Sequence, residues 1–92
     1  MNKEERYNLY EKAFKQWGVD SQILQLAEEC SELIQRCIKV VNRSHTEETW
    51  LNFFEELADV SIMMEQMEMK YGEYIKEYRK KKLQHFKDRL IG

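Results

Sequence analysis

The chain contains no proline, and its 92 residues include only three glycines and two cysteines. With so few residues able to stop a helix, and with Glu, Lys, Leu, Gln and Met abundant, helices are expected almost throughout, and no sheet pattern competes with them. Cys30 and Cys37 lie on one expected helix, roughly 10 Å apart along its axis, which is too far for a disulfide between them. They read as small buried apolar residues of a reducing compartment. No apolar run approaches the ~20 residues of a membrane span, and the Lys- and Glu-rich start does not resemble a signal peptide, so a cytoplasmic location is expected. The two histidines, His45 and His85, have no His or Cys at ligand spacing, which argues against zinc. Glycine-rich phosphate loops are absent as well.

What remains is a single short domain, residues 1–92, rich in charge of both signs. The formal net charge is −2, but it is unevenly spread. Between Lys76 and Arg89 stand seven basic side chains against two acidic ones, a net of +5, so the remainder of the chain carries −7. An acidic body with a basic tail is not the profile of a duplex-DNA binder, and no nucleic-acid partner is expected. It suits a site that binds metal with one part and phosphate with another.

The spacing of apolar residues predicts four helices. The first runs from about Lys3 to Gln16. The second follows a cap at Asp20 or Ser21 and continues to about Val41. Ser44-His45-Thr46-Glu47 fits a capping box for the third, which is expected to end near Tyr71 with Gly72 just beyond it, and the fourth spans Glu73 to Leu90. Short connections imply an antiparallel bundle of about four helices. Helix 2 carries Ile23, Leu26, Ala27, Cys30, Leu33, Ile34, Cys37 and Val41 on one broad face, widened by Leu24 and Ile38, and helix 3 carries Trp50, Phe53, Phe54, Leu57, Val60, Ser61, Met64 and Met67. These arcs are wider than one neighbouring helix would cover, so a homo-oligomer, dimer or tetramer, is expected to bury part of them. Trp50, Phe53, Phe54 and the methionines 63, 64, 67 and 69 read as core or interface filler.

One acidic pattern occurs twice. Glu28-Glu29-Cys30-Ser31-Glu32 on helix 2 and Glu55-Glu56-Leu57-Ala58-Asp59 on helix 3 both have the form Glu-Glu-x-x-acid. Within each, the second Glu and the following acid share a helix face. If the two helices pack antiparallel, Glu29, Glu32, Glu56 and Asp59 converge at the edge of the core. Four convergent anions repel and need a partner to stay ionised. A hard divalent cation such as Mg²⁺, which prefers carboxylate and phosphate oxygens, is the natural one. The plainer reading is that Glu-rich helix surfaces are merely solvated. Two pairs in matching phase on adjacent helices, each set in apolar sequence, weigh against it.

These runs resemble the signature of the MazG-like all-α nucleotide pyrophosphohydrolases. The likeness begins at Trp17-Gly18 and Gln22, takes in both acidic runs and Asp59-Val60-Ser61-Ile62-Met63-Met64-Glu65-Gln66, and reaches Lys82-Leu83-Gln84-His85-Phe86-Lys87-Asp88-Arg89-Leu90. The resemblance implies hydrolysis of a (deoxy)nucleoside triphosphate to the monophosphate and pyrophosphate. It further implies that Glu29, Glu32, Glu56 and Asp59 hold Mg²⁺, with Mn²⁺ as a substitute. Glu28 is then the candidate for orienting or deprotonating the attacking water, against its reading as a plain solvent-facing Glu. Lys39, two turns beyond Glu32, could meet a phosphate, while Arg36 more simply pairs with Glu32. Lys82 and Arg89 on a basic helix crossing the site would supply countercharge. Trp17 could stack on a base and Gln22 could read one, although an aromatic before a helix also serves to staple its start. A phosphoribosyl-ATP pyrophosphohydrolase of the same superfamily is the alternative enzyme. A non-catalytic helical interaction module, in which the acids only solubilise, is the alternative of another class.

Overall fold

The computed structural model describes residues 1–43 and 45–91, and among them every regular element is helical. Helix α1 spans Lys3–Trp17, α2 spans Val19–Ile38, a π turn follows at Lys39–Arg43, and α3 spans Glu47–Ile91. Asn2 caps α1 in a reciprocal box: the Glu5 N–H donates to Asn2 Oδ1 (2.8 Å) and the Asn2 N–H reaches back to Glu5 Oε1 (3.5 Å).

A single residue joins α1 to α2. Gly18 has φ 85° and ψ 161°, a conformation almost confined to glycine, and it closes α1 by donating to Phe14 O (2.9 Å). Asp20 and Ser21 therefore lie inside α2 and are not its caps; Gly18 takes that position without a side-chain bond. A Cβ at Gly18 would meet nothing within 4 Å, so a substitution there is opposed by backbone strain alone. Gly18→Ala is expected to cost about 1–3 kcal/mol, read as a lower Tm with unchanged helix content by circular dichroism.

At the second connection, Thr46 caps α3: the Thr49 N–H donates to Thr46 Oγ1 (3.2 Å) and the Trp50 N–H to Thr46 O (3.1 Å). The expected cap Ser44 lies outside the described residues. The expected boundary between helices 3 and 4 is found at Tyr71, which is non-helical (φ −121°, ψ 21°), but Gly72 does not cap it: among the described glycines only Gly18 has positive φ, and the helix resumes directly after the bend. Helices 3 and 4 are thus two limbs of one element, 47–70 and 72–91. The bend is bracketed by an ion pair between Arg79 and Glu68. Eleven residues apart on a straight helix, these two would sit about 16 Å from one another along the axis.

Two pairings set the packing of α2 on α3. Gln66 Nε2 donates to Gln22 Oε1 (2.8 Å), and further along α2 Glu29 and Glu32 meet Glu56. Rising numbers on α2 meet falling numbers on α3, so the two helices are antiparallel. Helix α1 is tied to α3 by Glu65, which accepts from Arg6 Nε and from the Tyr10 hydroxyl at 2.7 Å each, and by Lys70 lying over the Phe14 ring. Burial and the bond to Glu65 push the Tyr10 hydroxyl up to about 12.

The rotation of the helices differs from the one expected. The stripe of α2 turned toward the rest of the chain is Gln22, Leu26, Glu29, Leu33, Arg36 and Val40; that of α3 is Phe53, Glu56, Val60, Met63 and Met67. The carboxylates lie on the contact line itself, not at its edge. Ile23, Leu24, Ile34, Ile38, Val41, Leu51, Phe54 and Leu57 face outward instead, and Cys37 is exposed rather than buried. Trp50 remains half-buried in an aromatic cluster with His45, Phe53 and Phe54. Among the described residues Tyr10, Val40, Met63 and Met67 form the buried apolar core.

The result is open. The Cα radius of gyration is 16.0 Å, against about 12 Å for a compact domain of this length. The accessible surface is 7524 Å², whereas a compact monomer of the same mass exposes about 5,700 Å². Among the described residues no helix is long and apolar enough to cross a membrane.

Candidate metal centre

The pattern Glu-Glu-x-x-acid places two acids per helix on neighbouring turns, and antiparallel packing turns the two pairs toward one another. Carboxylate oxygens of Glu29, Glu32 and Glu56 lie within 4.8 Å of each other. Glu56 is the most enclosed of them at 4% exposure. Glu29 Oε2 and Glu56 Oε1 are both buried and accept no hydrogen bond, a costly state for an ionised oxygen. The other oxygen of Glu29 is held by Gln25, whose Nε2 donates to Oε1 at 3.0 Å.

This crowding acts on Glu56. A proton shared with Glu29 has the largest effect, burial comes next, and repulsion from Glu29, Glu32 and Asp59 adds to both, so the Glu56 carboxyl is pushed up to about 7. Asp59 stands outside the tight group of three, on the exposed side of α3, yet close enough for its charge to be felt. Glu28 is exposed on the flank of Glu29. No basic side chain among the described residues forms an ion pair with Glu29, Glu32, Glu56 or Asp59.

The donor set fits a hard divalent cation. It offers only carboxylate oxygens, two of them buried and lacking any partner, in a group small enough for one ion to bridge. Comparison with protein-family models, curated proteins and solved structures returns no match. The centre therefore rests on its own geometry.

Beside it lies a groove of about 650 Å³ between the three helices, lined by Tyr10, Trp17, Gln22, Gln25, Met63 and Gln66, among others. Of the expected base-contacting residues, Gln22 is buried and bonded to Gln66, while Trp17 forms the exposed lip. Gln25 borders the groove and also holds Glu29, so one residue joins groove and cluster. Gln66 and Gln25 were not singled out from sequence as site residues. The partner of Gln66 is 44 positions away, and nothing local marks it.

The expected phosphate-contacting residues are not gathered at the cluster. Lys39 opens the π turn and is exposed. Lys82 and Arg89 line a separate groove built from C-terminal-limb side chains alone, with Arg79, Leu83, His85 and Phe86. No cluster carboxylate borders that groove.

Proposed function

We propose that this chain is a Mg²⁺-dependent nucleoside triphosphate pyrophosphohydrolase, acting as a homo-oligomer and cleaving between the α and β phosphates. The observation that carries the reading is the close pair Glu29/Glu56, each with a buried oxygen that no donor of the chain satisfies when both are ionised. Such a pair weakens the fold when empty and is relieved by a cation. The resemblance of the two acidic runs to those of MazG-like enzymes points to the same assignment.

In this reading Glu29, Glu32, Glu56 and Asp59 hold the metal, and Gln25 fixes the orientation of the Glu29 carboxylate. When bound, Mg²⁺ would neutralise charge on the phosphate oxygens and acidify the attacking water. Glu28, on the same turn as Glu29, orients that water. The water oxygen ends on the nucleoside monophosphate and pyrophosphate departs. The three-helix groove takes the base, with Trp17 against its face and the Gln22 amide at its edge.

The deciding assay is pyrophosphate release from a panel of ribo- and deoxyribonucleoside triphosphates, with Mg²⁺ and with EDTA. Metal-dependent formation of monophosphate and pyrophosphate is expected. Absence of cleavage across the panel, together with no metal-induced rise in Tm, would return the acids to a solubilising role.

A further inference from the structure

We propose that the C-terminal limb of α3, residues 72–91, docks across the outward faces of α2 and α3 of a second copy of the chain, bringing its basic side chains to the rim of that copy's carboxylate cluster. The docking itself rests on surface and charge; what it does for phosphate binding rests on the function proposed above.

The surface argument is one of area. The chain exposes 7524 Å², about 1,800 Å² more than a compact monomer of its mass. A standard interface removes about 800 Å² per partner, so the excess is ample for a stable dimer. It is also concentrated in the right places. On α2 the outward side chains include Leu24, Ile34, Ile38 and Val41, each at least half exposed, and on α3 Phe54 is 54% exposed. On the limb, Leu83, Phe86 and Leu90 recur at steps of three and four, one helical stripe, and are 59%, 53% and 71% exposed. The bend at Tyr71 redirects the limb, with the Arg79–Glu68 ion pair across it, and the stripe is left uncovered by its own body. The limb, at about 30 Å, matches the length of the 20-residue α2 it would cover.

Charge selects the occupant. The segment Lys76–Arg89 carries +5 and the rest of the chain −7. Pairing limb with limb would set like charges together, whereas limb on body joins opposite ones. Both halves keep charges without an ion-pair partner. Among the described residues no cation pairs with the cluster acids, and although Arg79 and Lys81 pair with Glu68 and Glu77, Lys80, Lys82 and Lys87 form no ion pair. Lys82 and Arg89 flank the apolar stripe, so a limb seated by Leu83 and Phe86 presents them beside its contact. A site with no countercharge of its own would thus receive it in trans.

The test needs no turnover. Full-length chain is examined by sedimentation velocity, alone and as L83D/F86D and K80E/K82E/R89E, with circular dichroism confirming helix content. A one-to-one mixture of ¹⁴N and ¹⁵N copies is then treated with a zero-length carboxyl–amine crosslinker and read by mass spectrometry. The expected result is an oligomer that both variants dissociate, with mixed-isotope crosslinks joining limb lysines to acidic peptides of α2 or the 47–70 limb. A monomeric wild type, or mixed crosslinks confined to limb–limb pairs, would overturn the proposal. So would an oligomer unaffected by either variant, in particular one whose limb instead binds anionic vesicles or single-stranded DNA. If assembly follows the proposal but no nucleotide is cleaved, the function reading fails and the docking stands. If a monomer cleaves nucleotides, the reverse holds.

Discussion

Glu56→Gln is expected to reduce metal-dependent turnover at least about 100-fold while making the metal-free protein more stable. The two effects have one cause. At neutral pH and above, an ionised Glu56 faces Glu29 across a contact line that excludes water, with Glu32 and Asp59 adding repulsion. An amide of nearly the same shape removes the charge and can donate to Glu29. The metal-free Tm should rise by about 4–8 °C, the response of a domain this size to roughly 1 kcal/mol. Differential scanning fluorimetry in EDTA gives the stability arm and pyrophosphate release gives the activity arm. A variant that loses both stability and activity would show Glu56 to be ordinary packing. One that keeps activity would remove it from the centre.

The second large effect is a reversal of pH dependence by metal. The folded-state pKa of Glu56 is raised from 4.5 to about 7. Between those values the native state holds more protons than the unfolded chain, so this group's contribution is fully present below pH 4.5 and is lost as pH rises through about 7. Metal-free protein should therefore lose stability from this group across that window. A cation binds the deprotonated form and competes with the proton. The rise in Tm at fixed Mg²⁺ should grow between pH 6 and pH 8, and binding at pH 7 should release protons, measurable by calorimetry in buffers of different ionisation heat. In Glu56→Gln the metal-free pH dependence should flatten and the metal response should largely disappear. A metal response independent of pH in the wild type would place the ion away from Glu56.

Much of this was legible before any coordinates. The all-helical class follows from the lack of proline and the periodicity of apolar residues. The repeat of Glu-Glu-x-x-acid located three carboxylates that do converge, because an i, i+3 spacing survives any rotation of a helix about its axis. The rotation itself was not legible. The breadth of the apolar arcs on α2 and α3 implies that both a neighbouring helix and a neighbouring subunit cover them, but it does not divide them: the chain places Glu29 and Glu56 on the intrachain contact and leaves Ile34, Ile38, Phe54 and Leu57 outside. Hydrophobic patterning records which residues must leave water, not which surface covers them, and a neighbouring subunit satisfies the pattern as well as a neighbouring helix does. Nor does composition separate Gly18, which needs positive φ, from Gly72, which follows the bend at Tyr71 without it. The fate of the basic tail was hidden for a related reason. A boundary at Tyr71 and Gly72 is legible in the sequence, but the angle at which the bend sets residues 72–91 leaves no trace in residue type.

The Gln22–Gln66 bond has a bearing on how a charged centre can work without disturbing its scaffold. Two neutral amides, each almost fully enclosed, must either meet or remain unsatisfied, and sliding α2 along α3 by one turn would separate them. They act as a register pin, about 10 Å from Glu29 along α2 and about 15 Å from Glu56 along α3. Neither amide titrates. The axial positions of Glu29 and Glu56 are therefore set by a contact indifferent to pH and to cations, and the carboxylates are free to gain or lose a proton, or an ion, on a ruler that does not move.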